Sequence, residues 1–183
     1  ERYQVNYPFL LYVGSAKPQK NVPRLIEAFA VVKNELRDHP RLANLRLLII
    51  GDEISEHSDL RRAVIRTRMQ NAVRFLGFVP ASTLRVFYQS AEVFVFPSLH
   101  EGFGMAFAEA MAHGLPVIGC AAGAVPEVVP PDAGILVTPQ APEALREALA
   151  KLIADHFRGR LDAALDAIRR ARFRRRQRSR PDA

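Results

Sequence analysis

Short apolar runs alternate along the chain with segments in which apolar residues recur every three or four positions. Phe9 to Val13 is one such run, closed by Gly14, and suits a buried strand. Leu25, Ile26, Phe29, Val32 and Leu36 then mark one face of a helix, with Asn21 placed to cap it and Pro23 in its first turn. Leu45 to Ile50 forms a second buried run, closed by Gly51-Asp52. A helix is predicted over Asp59 to Met69 and a third strand over Val73 to Leu76, leading into Gly77-Phe78-Val79-Pro80. Ser82 is placed to cap a helix running to about Gln89, and Val93 to Phe96 is a fourth strand, stopped by Pro97. A helix from about Gly104 to Ala112 follows, then a strand over Val117 to Gly119, a helical turn over Val125 to Val129 and a short strand over Ile135 to Val137. Ala141 to Ala154 is amphipathic, with Leu145, Leu149, Leu152 and Ile153 on one side, and a last helix is predicted over Leu161 to Arg172.

Strands alternating with helices predict an α/β fold, a Rossmann-like parallel sheet flanked by helices. Ligands of such sheets sit beyond the carboxyl ends of the strands, which selects the loops after Val13, Ile50, Leu76, Phe96 and Gly119. The chain has 183 residues, 49% of them hydrophobic, enough for one domain with its own core. That domain is expected over residues 1–172, with an Arg-rich, disordered tail over 173–183.

Charge sharpens this division. The formal net charge is +7, and the segment from His156 to the end, with ten Arg and three Asp, carries all of it. The body is therefore neutral, and nucleic acid is not an expected partner of it. The run Arg174, Arg175, Arg176, Arg178 and Arg180 is either a solvated terminus or a peripheral contact for an anionic membrane surface. The single cysteine, Cys120, points to no disulfide framework, and no apolar stretch approaches the roughly 18 residues of a membrane span. A cytoplasmic domain is expected, at most peripheral to the inner face of the membrane. Because the first residue is Glu1 rather than Met, a fragment or a processed product is expected.

Two loops carry candidate chemistry. The loop Gly14-Ser15-Ala16-Lys17-Pro18-Gln19-Lys20-Asn21 lacks the glycines of a dinucleotide fingerprint and the Gly-Lys-Ser/Thr of a P-loop. It does place two lysines between a strand end and a helix start, where one could neutralise a diphosphate as a point charge. Solvated loop lysines are the alternative. In the second loop, Gly102 and Gly104 precede a helix and let backbone amides approach a ligand. A helix amino terminus offers unpaired N–H groups and a partial positive charge, an anion site. Glu101 stands in that loop and Glu109 about two turns on. A carboxylate would repel phosphate but accepts well from sugar hydroxyls. A diphosphate on the amides with sugar hydroxyls at the glutamates is one reading; an ordinary glycine-bounded helix start is the other.

The segment Glu101 to Glu109 resembles the E-x7-E motif of family-4 glycosyltransferases, enzymes of the GT-B fold. Its frame is similar too: Pro97-Ser98 before it, Glu109-Ala110-Met111-Ala112 and Gly114-Leu115-Pro116-Val117 after it. Gly123-Ala124-Val125-Pro126-Glu127-Val128-Val129 is similar to a later glycine-to-glutamate stretch of the family. Tyr12-Val13-Gly14, Lys20-Asn21 and Leu25-Ile26-Glu27-Ala28-Phe29 resemble its first strand, phosphate lysine and first helix. Gly51-Asp52 and Val73 to Val79 match in order and spacing, so the resemblance covers about residues 9 to 155.

The resemblance implies the C-terminal, donor-binding half of a retaining GT-B hexosyltransferase. Lys20 would contact the donor diphosphate, shared with the amides around Gly102, Phe103, Gly104 and Met105. Glu101 would sit by the transferred sugar and Glu109 would hold the ribose hydroxyls. Phe78 and Val79 would lie against the base, and Gly14 and Ser15 would line the donor site. Many members carry Arg after the first glycine; Ser15 stands here, and Lys17 is the candidate replacement. No metal or other cofactor is implied. The expected partners are a nucleotide-diphospho-sugar, with GDP-mannose favoured because Lys17-Pro18-Gln19-Lys20-Asn21 resembles the loop of several mannosyltransferases, and a glycan or lipid-linked acceptor. The N-terminal acceptor domain, with the His it supplies, is not in this sequence; none of His39, His57, His100, His113 or His156 is assigned that role, and turnover by this chain alone is not expected. The competing classes are a non-catalytic Rossmann-like nucleotide-binding module and a nucleic-acid or membrane-surface binder driven by the basic tail.

Overall fold

The computed structural model describes residues 3–39, 42–51, 57–139 and 141–157. Six strands, β1 (Phe9–Val13), β2 (Arg46–Ile50), β3 (Val73–Gly77), β4 (Val93–Phe96), β5 (Val117–Cys120) and β6 (Gly134–Val137), form one sheet in the order β3-β2-β1-β4-β5-β6. All pairings are parallel, with Phe9 opposite Arg46, Leu11 opposite Phe94 and Phe94 opposite Val117. A strand inside a parallel sheet is covered on both faces, so its sequence is a continuous apolar run rather than an alternation. β1 and β4 follow this rule: Leu10, Leu11, Tyr12, Val93, Phe94 and Val95 are fully buried.

The connecting helices are α1 (Val22–Glu35), α2 (Ser58–Thr67), α3 (Ala81–Ser90), α4 (Met105–Ala112), α5 (Val125–Val128) and α6 (Pro142–Phe157). Leu25, Ile26, Phe29 and Val32 bury the predicted face of α1, which packs against α2 and α6. α4 packs against α5, β4 and β5, its Phe107 ring meeting the Phe94 and Phe96 rings edge-on at 6.0 and 5.6 Å. Such edge-to-face contacts suit the quadrupoles of aromatic rings.

Asn21 holds the predicted cap position of α1, and the predicted cap at Ser82 is corrected. Asn21 does not cap α1 through its side chain. A 3-10 turn over Pro18–Lys20 precedes the helix, and Asn21 takes the left-handed conformation (φ 57°, ψ 32°) that carries one into the other. Its backbone N–H donates to the Pro18 carbonyl at 3.1 Å, and asparagine tolerates this conformation better than most residues. Nor does Ser82 cap α3: the helix starts at Ala81 with Pro80 in the cap position, two residues earlier, and the carbonyl of Pro80 accepts from the amides of Thr83 and Leu84 at 2.9 and 2.8 Å. The helix predicted over 161–172 and the tail lie outside the described residues.

The chain winds from β1 to β3 toward one edge and from β4 to β6 toward the other. β1 and β4 are thus the neighbours between which the winding direction reverses. A crevice opens at the carboxyl ends of strands at such a switch point. The two loops singled out in the sequence are those that follow β1 and β4.

Candidate active site at the sheet switch point

The loop after β1 is anchored at both ends. The Gly14 amide donates to the Ile50 carbonyl at 2.9 Å, and the Tyr12 hydroxyl donates to the Ser15 carbonyl at 2.6 Å. Burial, reinforced by the charge of Glu101, pushes the Tyr12 hydroxyl above the ordinary tyrosine range, so it stays a donor. The 3-10 turn then fixes Lys20, whose amide donates to the Lys17 carbonyl at 2.8 Å. Lys17 itself is exposed.

The loop after β4 is tied to the first. The Leu99 amide donates to the Gln19 carbonyl at 2.8 Å. Ser98, 2% exposed, has its hydroxyl within reach of the carbonyls of Gln19 at 3.3 Å and His100 at 2.9 Å, so a polar group that burial would otherwise penalise is satisfied. From the far side Gly123 closes on the same loop. Its backbone has φ +57°, and a Cβ there would fall 2.0 Å from the Glu101 carbonyl oxygen. Only glycine fits both the conformation and the approach.

These anchors bring Lys20 and Glu101 together, although 81 residues separate them in sequence. Lys20 Nζ donates to Glu101 Oε1, and the side chains are only 18% and 13% exposed. The ammonium also lies 5.0 Å from the centroid of the Phe96 ring, which is stacked on Tyr12 at 5.2 Å. The cation is therefore held between a carboxylate and an aromatic face.

Gly104 follows in the left-handed conformation (φ 79°) and turns the chain into α4. Its carbonyl accepts from the amides of Phe107 at 3.0 Å and Ala108 at 3.3 Å, whereas the amides opening the helix have no acceptor within it. Those N–H groups and the positive end of the helix lie just beyond Glu101. Phe103 and Met105, both 61% exposed, flank this terminus. Phe78, 71% exposed, stands at the same end of the sheet beyond β3, two strands over from β1. Val79 is buried, so of that pair only Phe78 offers a side chain.

Glu109 is exposed in the second turn of α4, and its Oε2 accepts from the Tyr88 hydroxyl at 3.1 Å. Burial first, then the charge of Glu109 and the hydrogen bond to it, raise the Tyr88 hydroxyl well above its usual range. Cys120, near the crevice, is buried and its thiol is pushed up by that burial, which keeps it protonated and unreactive.

The structure thus joins Lys20 to Glu101 and sets Gly14 and Ser15 in the loop after β1, and Gly102, Phe103, Gly104 and Met105 between the end of β4 and the start of α4. Tyr12, Tyr88, Phe96, Gly123 and His113 were missed by sequence reasoning. A buried tyrosine hydroxyl needs a partner, and that need was the one signal for Tyr12 and Tyr88; the partners are set by tertiary structure.

Comparison with known proteins gives the family and the fold. The family model described as glycosyl transferases group 1 matches residues 2–178. O-antigen chain mannosyltransferase B of Escherichia coli is 32% identical over 156 residues, covering 85% of this chain and 39% of that protein. Anabaena HepE, solved with UDP and glucose, superposes with a TM-score of 0.71 at 25% identity over 89% of this chain and 43% of its own. The crystallised C-terminal domain of LpcC, a group 1 family glycosyl transferase of Francisella tularensis, superposes with a TM-score of 0.68 at 25% identity, covering 87% of this chain and 83% of that one. The chain spans less than half the length of the first two. It belongs to the group 1 glycosyl transferases, and it corresponds to the C-terminal, Rossmann-like part of their GT-B fold.

Proposed function

We propose that this domain binds a nucleotide-diphospho-sugar in the crevice between β1 and β4 and, with an N-terminal acceptor domain, transfers the sugar to a glycan or lipid-linked acceptor with retention of configuration. The observation that carries this reading is the Lys20–Glu101 pair set beside the amino end of α4 at the switch point. Lys20 and the first amides of α4 face the diphosphate, and Lys17 adds a second, exposed cation. As the glycosidic bond breaks, negative charge grows on the departing nucleoside diphosphate. Fixed dipoles and a lysine already in place stabilise that charge without reorganising, which is the source of rate enhancement assigned to this half of the enzyme. Glu101, released from Lys20, accepts from hydroxyls of the transferred sugar. Glu109 accepts from the ribose, and Phe78 covers the base. No metal takes part in this scheme, so a chelator leaves donor binding unchanged.

GDP-mannose is the favoured donor, supported by the Lys17 to Asn21 loop and by the mannosyl activity named for the E. coli relative. UDP-glucose is the second reading, favoured by the UDP and glucose bound to HepE.

The test is a thermal-shift panel with GDP, UDP, ADP, GDP-mannose and UDP-glucose on the wild type, Lys20→Ala and Glu109→Ala. A ligand that binds only the folded state raises the melting temperature by mass action, about 2.7 kcal/mol at a hundredfold excess over Kd. One nucleotide is expected to stabilise the wild type, with the shift lost in both variants and no sugar transfer by this chain alone. An unchanged shift in both variants refutes the site.

A further inference from the structure

We propose that Tyr88 is a positioning residue that holds the Glu109 carboxylate in the orientation needed to receive a ribose diol. Resting on the donor reading above, this names how the nucleoside part of the site is built. Glu109 projects from an exposed face of α4, where a free glutamate samples many rotamers. Its Oε2 is held by the Tyr88 hydroxyl at 3.1 Å. Tyr88 itself is immobile: it is 2% exposed and packs against Phe94 of β4 at 5.9 Å between centroids. The His113 ring stacks on the Tyr88 ring at 5.2 Å and 16° between planes. His113 is fixed in turn, its Nδ1 lying 2.9 Å from the Glu109 carbonyl oxygen. A carbonyl only accepts, so Nδ1 carries the proton. The set closes on itself: α4 orients His113, His113 and β4 hold Tyr88 of α3, and Tyr88 holds Glu109 of α4. A carboxylate accepts about four hydrogen bonds, so one from Tyr88 leaves capacity for two ribose hydroxyls. Ordering the side chain before the ligand arrives removes an entropic cost that binding would otherwise carry.

Tyr88→Phe keeps the ring, its stacking and its packing, and removes only the hydroxyl. Dissociation constants are measured by calorimetry on the whole chain. The ligands are whichever of GDP, UDP and ADP the wild type binds most tightly, its 2′,3′-dideoxy form and inorganic pyrophosphate. The expected result is an affinity loss of about fivefold for the nucleoside diphosphate, the cost of ordering one side chain on binding. No loss is expected for the dideoxy nucleotide or for pyrophosphate, because neither offers Glu109 a diol. This coupling between hydroxyl and diol is a double-mutant cycle, and a merely structural role does not produce it. Unchanged affinity for the nucleoside diphosphate overturns the proposal and leaves the donor site standing, and so does an equal loss for all three ligands. A wild-type chain that binds none of the nucleotides overturns the donor reading, and this proposal with it.

Discussion

At the scale of single residues, the site is a set of polar groups that satisfy one another until a ligand replaces a partner. Lys20 and Glu101 are the clearest case. With side chains 18% and 13% exposed, the pair lies between a surface bridge worth about 0–1 kcal/mol and a buried one whose breakage costs about 3–5 kcal/mol. Lys20→Met is therefore expected to destabilise the chain by about 1–2 kcal/mol, because Glu101 is left charged and unpaired. Adding Glu101→Gln should recover part of that loss. Urea denaturation of the two single variants and the double variant checks the sign; additivity would mean that the contact is not coupled. The two tyrosines give a pH signature. Burial raises both Tyr12 and Tyr88 above the reference value of 10.0, so above that pH the folded chain keeps protons that the unfolded chain releases. Stability then falls as pH rises. Their contribution is fully present below pH 10.0 and is lost as pH climbs from there toward the folded values. The Tyr12→Phe, Tyr88→Phe double variant should lose less stability than the wild type between about pH 9 and about pH 11, measured by the urea midpoint at each pH. An equal decline would place the alkaline sensitivity on other groups. Tyr12→Phe alone, which leaves the Ser15 carbonyl without its 2.6 Å partner, is expected to cost about 1 kcal/mol at neutral pH.

At the scale of elements, three loops are locked together, and the lock lies where local sequence is least informative. The strands were legible: all six were predicted within a residue or two of their observed ends, because buried parallel strands are apolar runs bounded by breakers. Helix faces were legible for the same periodic reason. The cap position Asn21 was legible but not its left-handed backbone, which follows from the 3-10 turn before it, and the cap at Ser82 was not, because Pro80 opens α3. The loop motif 101–109 was legible as a glycine-bounded helix start, which the structure shows at Gly104, yet nothing local reveals that Gly123 braces it from a different strand connection. Gly123→Ala forces a side chain into a left-handed backbone and into the Glu101 carbonyl, 2.0 Å from the new Cβ. Gly104→Ala meets a similar conformational penalty, about 1–2 kcal/mol, but its nearest neighbour is the edge of the Phe107 ring at 3.2 Å. Gly123→Ala is accordingly expected to be the more destabilising, by about 2 kcal/mol, and to weaken nucleotide binding because the displaced loop leads into the α4 amides proposed to meet the diphosphate. Chemical denaturation and the thermal-shift panel on both variants would show it; equal costs would mean that the loop yields freely.

At the scale of the whole molecule, charge is unevenly distributed along the sequence. The body through Asp155 is neutral, and the cations of the proposed donor site are Lys17 and Lys20, with the α4 amides, rather than a net charge. All of the +7 lies from His156 onward. Donor binding and the membrane contact proposed for the basic segment are therefore separable by deletion. Donor binding is short-range and geometric, whereas attraction of a basic segment to an anionic surface is long-range, about 1 kcal/mol per Lys or Arg near the membrane, and decays over about 10 Å at 0.1 M salt. Removing residues 173–183 is expected to leave the nucleotide-induced thermal shift unchanged. The same deletion should abolish co-sedimentation with vesicles containing phosphatidylserine, an interaction that 0.5 M salt should also suppress in the full chain. Loss of the nucleotide shift on deletion would assign the arginines to the diphosphate site. Vesicle binding that survives both deletion and high salt would instead rest on apolar contact, for which the exposed Phe103 and Met105 beside α4 are the first side chains to replace.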